Sequence, residues 1–68
     1  MSDFAADLFA GVASAESPQR ALAEMSNKEL ELLIEGLRRL DKPNDFQAQV
    51  FAMAMMRVLE RWKNSIRI

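Results

Sequence analysis

The stretch from Phe46 to Leu59 constrains the fold most, because eleven of its fourteen residues are apolar. Their spacing predicts a helix, and a helix that is apolar nearly all round must be covered on more than one side. One neighbouring helix cannot provide that cover. The stretch is also too short, and too interrupted by Gln47, Gln49 and Arg57, for a bilayer span of about 20 apolar residues. Several helices, or several copies of the chain, must therefore surround this segment.

A capping box marks the start of the helix that precedes this stretch. The hydroxyl of Ser26 can accept from the backbone N–H of Glu29, and the Glu29 carboxylate can accept from the backbone N–H of Ser26. Apolar residues then recur at helical spacing, and Pro43 ends the pattern because it removes a donor and disfavours helical geometry before it. The sequence predicts a helix over about 27–41.

A second helix is predicted over about 45–64, with Asn44 or Asp45 as its cap. The short loop favours two antiparallel helices in a hairpin. Four apolar residues follow the spacing of four, three and four that is typical of a coiled-coil-like seam. They are Phe51, Met55, Val58 and Trp62.

The residues before the capping box have a weaker helical pattern. Ser2 can cap a first helix, and Ser17 followed by Pro18 is typical of the start of a short second one. We therefore divide the chain into an amino-terminal helical segment, 1–25, which could serve as a docking arm, and a hairpin and dimerisation core, 26–68.

The predicted fold class is all-α, a helical hairpin preceded by one or two short helices and paired as a dimeric helical bundle. A chain of 68 residues without cysteine has neither disulfides nor thiolate metal sites to complete a small core, which leaves association. The alternative is a closed three-helix monomer in which the amino-terminal helix folds back. The residues expected in the core or dimer interface are Leu30, Leu33, Ile34, Leu37, Phe46, Val50, Phe51, Met53, Met55, Met56, Val58, Leu59 and Trp62.

The side chains offer little for catalysis, metals or cofactors. The chain has no histidine to activate a serine and no histidine or cysteine to bind zinc. Glu31 and Glu35 lie one helical turn apart, but a solvated face explains them. Two isolated glycines cannot form a phosphate-binding loop. We expect no enzymatic activity, no metal and no cofactor.

These exclusions favour a small protein-binding regulator, an inhibitor or adaptor, acting as a homodimer on a larger protein whose identity the sequence does not give. Leu32 stands apart from the apolar side of its helix, and Gly36 beside it would allow close approach of another backbone. The expected partner-binding residues are Phe4, Leu8, Phe9, Leu32 and Gly36.

Nucleic-acid binding is the alternative function. Residues 1–35 carry seven acidic and two basic residues, whereas residues 36–68 carry seven basic and three acidic ones. An aromatic residue among cations, as at Trp62, can stack on a base while the cations contact phosphate. A pI near 5.3 is unlike that of a dedicated nucleic-acid binder. The candidate contacts are Arg57, Arg61, Lys63 and Arg67.

A cytoplasmic location is expected from the amino terminus. Asp3 and Asp7 occupy the region where a signal peptide would carry positive charge, and no long apolar run follows them. We therefore expect no membrane association.

Overall fold

A computed structural model describes residues 4–65 of the chain. Four α-helices account for all of its regular secondary structure within that range, so the all-α prediction is confirmed. None of these helices is both long enough and apolar enough to cross a membrane. In chain order they are α1 (Phe4–Ser14), α2 (Pro18–Glu24), α3 (Asn27–Arg38) and α4 (Asp45–Ser65).

Side-chain caps fix the starts of α2 and α3 where the sequence predicts them. Ser17 Oγ accepts from the backbone N–H of Arg20 at 3.3 Å, with Pro18 at the first helical position. Both hydrogen bonds of the predicted capping box are present: the Glu29 N–H donates to Ser26 Oγ at 3.1 Å, and the Ser26 N–H donates to the Glu29 carboxylate at 2.9 Å. The predicted cap at Ser2 lies outside the described residues.

The start of α4 repeats the same device with an amide pair. Asn44 Oδ1 accepts from the Gln47 N–H at 2.7 Å, and the Asn44 N–H donates to Gln47 Oε1 at 2.9 Å. Asn44, rather than Asp45, is therefore the cap. Each reciprocal pair satisfies two backbone donors that a helix start leaves without partners.

The end of α3 differs from its predicted position. The helix ends at Arg38 instead of near residue 41, and Leu40 N–H donates to the Leu37 carbonyl at 3.2 Å in a tight final turn. Residues 39–44 connect α3 to α4, so the connection is longer than the loop predicted around Pro43. Within the described residues α4 extends to Ser65 and so covers the predicted range 45–64.

The four helices pack against one another in specific pairs. α1 lies against α3 and α2, and α4 lies against α3 and α2. The amino-terminal helix therefore folds back onto the rest of the chain, as in the three-helix alternative. The fully or nearly fully buried side chains form one core to which all four helices contribute: Val12, Leu22, Leu30, Leu33, Leu37, Val50 and Ala54.

Within one chain, the most buried line of α4 lies beside the predicted seam rather than along it. The buried residues of α4 are Val50 and Ala54, whereas Met55 is 39% exposed and Trp62 is 62% exposed. Moving the seam by one residue rotates it by about 100° around the helix. Both α2 and α3 pack against α4, and Phe9 of α1 meets Phe46, so the burial of α4 depends on where these helices lie.

Gly36 is the point of closest approach between α1 and α3. A Cβ atom at Gly36 would overlap the Cβ of Ala5, whereas a Cβ at Gly11, on the exposed side of α1, would meet nothing within 4 Å. The Ala5 methyl group cannot rotate away because it is bonded directly to the α1 backbone. A larger residue at Gly36 therefore displaces the whole helix.

We expect Gly36→Ala and Gly11→Ala to change stability in opposite directions. Each adds the same methyl group inside a helix, where alanine is favoured over glycine by about 0.5–1 kcal/mol. At Gly36 the overpacking cost of about 1–3 kcal/mol exceeds this gain. Urea unfolding followed by circular dichroism should show Gly11→Ala stabilised and Gly36→Ala destabilised. Equal stabilisation of both variants would contradict the packing of α1 on α3.

Candidate protein-binding surfaces

The polar residues of the described chain do not converge on a site. Between residues 4 and 65, no polar or charged side chain is buried, and no group of three or more acidic residues is placed to hold a metal ion. The features that distinguish this molecule are instead apolar side chains that the chain leaves in solvent. Two apolar surfaces can be defined, and the exposed side chains of Phe4, Phe46 and Met56 lie outside both.

The first surface is the outer side of α4, which we call the α4 face. It consists of Ala48, Ala52, Met55, Leu59 and Trp62, all of which are exposed. Their spacing of four, three, four and three residues is the heptad pattern of a helix that packs along another helix. Leu59 and Trp62 are 54% and 62% exposed, which is unusual for two large apolar side chains one turn apart.

The α4 face is broad as well as long. Half-buried Phe51 and Val58 flank it on the side of α3. Together with the face they fill a sector of about 120° of the helix circumference in which no residue of α4 is charged. The charged groups of Arg57 and Arg61 belong to other sectors of the helix. This apolar sector is therefore uninterrupted along most of α4.

A shallow groove extends the apolar surface from the α4 face towards α3. Leu32 and Ile34 of α3 line it together with Met55 and Val58 of α4. Lys28, Glu31 and Glu35 form the polar part of its lining. Leu32, predicted as an isolated contact residue, thus lies beside the α4 face.

The second surface is a pocket of about 160 Å³, which we call the α1–α3 pocket. It lies between α1, α3 and the start of α4, and apart from one glutamine its lining side chains are apolar. The lining residues are Ala5, Ala6, Phe9, Leu33, Gly36, Leu37, Leu40 and Gln47. The small residues on both helices leave room for the pocket.

The structure brings together only two of the five predicted partner-binding residues. Phe9 and Gly36 line the α1–α3 pocket, and the Phe9 ring also meets the edge of Phe46, with centroids 5.6 Å apart and an interplanar angle of 66°. Leu8 is half-buried and packs on the core, and Phe4 is 51% exposed at the start of α1. The backbone that approaches Gly36 belongs to α1 of the same chain.

The thirteen residues predicted for the core or dimer interface divide by exposure. Four are buried, namely Leu30, Leu33, Leu37 and Val50. Four are half-buried, namely Ile34, Phe51, Met53 and Val58. The remaining five are exposed: Phe46, Met55, Met56, Leu59 and Trp62.

The predicted basic residues do not form one cluster of solvent-directed cations. The Arg61 guanidinium donates to Asn27 Oδ1 at 2.9 Å and to the Ala23 carbonyl at 3.0 Å, so it joins α4 to the end of α2 and the start of α3. Arg57 lies 3.8 Å from the carboxylate of Glu60. Lys63 is exposed, and Arg67 lies outside the described residues.

Two features escaped the sequence analysis. The heptad spacing of Ala48 and Ala52 fits the α4 face, but an alanine by itself does not indicate an interface. The role of Arg61 depends on residues 34 and 38 positions earlier in the chain. No local pattern signals such a long-range pair.

We expect Arg61→Gln to destabilise the fold by about 1 kcal/mol, because two charge-assisted hydrogen bonds at a partly exposed site are lost. Lys63→Gln removes the same charge two residues later and should leave the free energy of unfolding within about 0.5 kcal/mol of the parent. Thermal and urea unfolding would measure both. Equal stabilities of the two variants would contradict the structural role of Arg61.

Comparisons with known proteins leave the function to be inferred from the geometry. No protein family model, no curated protein and no solved structure matches the chain.

Proposed function

We propose that this chain is a small non-enzymatic regulator, an inhibitor or adaptor, that acts as a helical homodimer on a larger cytosolic protein. The α4 face is the observation that carries the proposal. In the proposed assembly the α4 face pairs two copies of the chain, and the α1–α3 pocket receives an apolar side chain of the larger protein.

The exposed side chains of the α4 face supply a driving force for pairing. Burying a large apolar side chain contributes about 1.5–3 kcal/mol, and Met55, Leu59 and Trp62 are all available. Each subunit of a standard interface buries about 800 Å². These three side chains would lie at the centre of such an interface.

The α1–α3 pocket has the size and polarity to receive a side chain. Its volume of about 160 Å³ is close to that of an apolar cavity that holds benzene, about 150 Å³. A leucine or phenylalanine on a partner helix would bury its side chain there, which is the usual mode of helix recognition by an apolar groove. The pocket shares no lining residue with the α4 face, and in the proposal each subunit of the homodimer keeps its own pocket.

The nucleic-acid alternative has less support. A phosphate contact by Arg61 would compete with its hydrogen bonds to Asn27 and Ala23, and Arg57 has Glu60 beside it. A surface that binds a polyanion needs several cations free to face it. We therefore favour the protein-binding function.

Leu59→Glu should raise the dissociation constant of the homodimer by at least about 100-fold, because pairing would bury one unpaired carboxylate from each subunit. Light scattering over a concentration series should give a molecular mass of twice 7.7 kDa for the parent chain and 7.7 kDa for the variant. Gln19→Glu adds the same charge at an exposed position of α2 and should remain dimeric. A parent chain that is monomeric at every concentration would contradict the homodimer.

Ala6→Leu should abolish binding of the larger protein, because the added side chain fills the α1–α3 pocket while leaving the core intact. Ala10→Leu makes the same change one turn later at an exposed position that does not line the pocket. The measurement is affinity capture from the native cell, comparing the proteins held by the parent and by each variant. A protein captured equally by both variants would contradict the assignment of the pocket.

A further inference from the structure

We infer that the occupant of the α4 face is the same face of a second copy, running antiparallel, with Ala52 opposite Trp62 and Met55 opposite Leu59. The inference rests on the proposed function, since it specifies how the proposed homodimer is built. It follows from the order of side-chain sizes along the face and from the charges at its edge.

Side-chain size increases in one direction along the α4 face. Ala48 and Ala52 lie in its first half, Met55 follows, and Leu59 and Trp62 lie in its second half. A parallel pair would place alanine against alanine at one end and tryptophan against tryptophan at the other. The first end would leave voids and the second would force the helices apart, and interfaces tolerate neither because they pack as densely as protein interiors.

An antiparallel pair removes this mismatch. Each small residue then lies opposite a large one, and the helices stay at a constant separation along the whole contact. In the heptad pattern this places Ala52 of each copy opposite Trp62 of the other and Met55 opposite Leu59. The two-fold axis crosses the pair at the level of residues 56 and 57. The same apolar face is used by both copies, so the contact closes on itself and leaves no equivalent face for a third chain.

The charges at one edge of the face favour the same orientation. Asp45 and Lys63 are eighteen residues, or about five helical turns, apart and therefore lie on the same edge of α4. In an antiparallel pair this edge meets its own copy, so the Asp45 end of one helix lies towards the Lys63 end of the other. In a parallel pair the edge with Asp45 and Lys63 meets the other edge of the partner helix, where Phe51 and Val58 carry no charge. Such edge charges set orientation more than affinity.

Single cysteines can distinguish the two orientations, because the chain has none of its own. Met56 and Lys63 occupy equivalent edge positions one heptad apart, and both are exposed. In the antiparallel pair two copies of Met56 lie near the axis and face each other, whereas two copies of Lys63 are separated by about 20 Å along the helix. In a parallel pair the two positions are equivalent.

The experiment is oxidative cross-linking of Met56→Cys, Lys63→Cys and Ala52→Cys, each purified as the full chain and shown to be dimeric by light scattering. We expect Met56→Cys to form a covalent dimer about tenfold faster than the other two variants, because only its thiols share a high effective concentration. A mixture of Lys63→Cys with Gln49→Cys should form the mixed dimer, because these positions lie opposite each other across the axis.

Two results would overturn the inference, and they are distinguishable. Rapid cross-linking of Ala52→Cys, together with equal rates for Met56→Cys and Lys63→Cys, would show a parallel dimer and leave the proposed homodimer standing. Monomeric parent chain and slow cross-linking of every variant would overturn the homodimer itself. If Met56→Cys fails to fold, the mixture of Gln49→Cys and Lys63→Cys tests the same orientation.

Discussion

The packing of this molecule depends on how the circumference of α4 is covered. Between Phe46 and Leu59 the helix is apolar nearly all round, but the rest of the chain covers only part of it: α3 and the short α2 pack against it, and Phe9 of α1 meets Phe46. Val50 and Ala54 are completely buried. The apolar residues of the α4 face remain in solvent. The same helix thus contributes to the core and to the apolar outer surface.

Local chemistry was the part of the fold that could be predicted. The Ser26–Glu29 capping box and the Ser17–Pro18 start involve residues within three positions of each other, so the sequence contains everything that determines them. Which side of α4 faces inward depends instead on where α2 and α3 lie, and a repeating pattern of apolar residues does not encode that choice. The predicted seam contains bulky residues of α4, whereas the two residues that the structure buries completely are Val50 and Ala54.

The two glycines show the same limit. The helical context of Gly36 correctly indicated that another backbone passes close by, but a glycine gives no information on which backbone it is. The structure places α1 there through Ala5, so the feature expected to mark a surface for another protein is an internal contact. The α1–α3 pocket beside it arises from the same small residues. Its existence could be found only after the position of α1 was known.

In the proposed function the α4 face pairs two copies of the chain and the α1–α3 pocket binds the larger protein. Pairing through the α4 face would present two α1–α3 pockets on one particle, so that a dimeric or repetitive target would bind both with a gain in avidity that needs no new contact. In the proposed homodimer stability and function would be linked, because a chain this short would bury further apolar surface on pairing. Substitutions on the α4 face would then lower both dimer affinity and thermal stability.

Trp62 allows the central claim to be tested without any substitution, since it is the only tryptophan of the chain and lies on the α4 face. In the isolated subunit its side chain is 62% exposed. The measurement is acrylamide quenching of its fluorescence over a dilution series, with the mass followed in parallel by sedimentation. The account predicts a protected tryptophan in the dimer that becomes accessible to the quencher as the mass falls to 7.7 kDa. A tryptophan that is equally accessible at every concentration would contradict the pairing of two copies through this face.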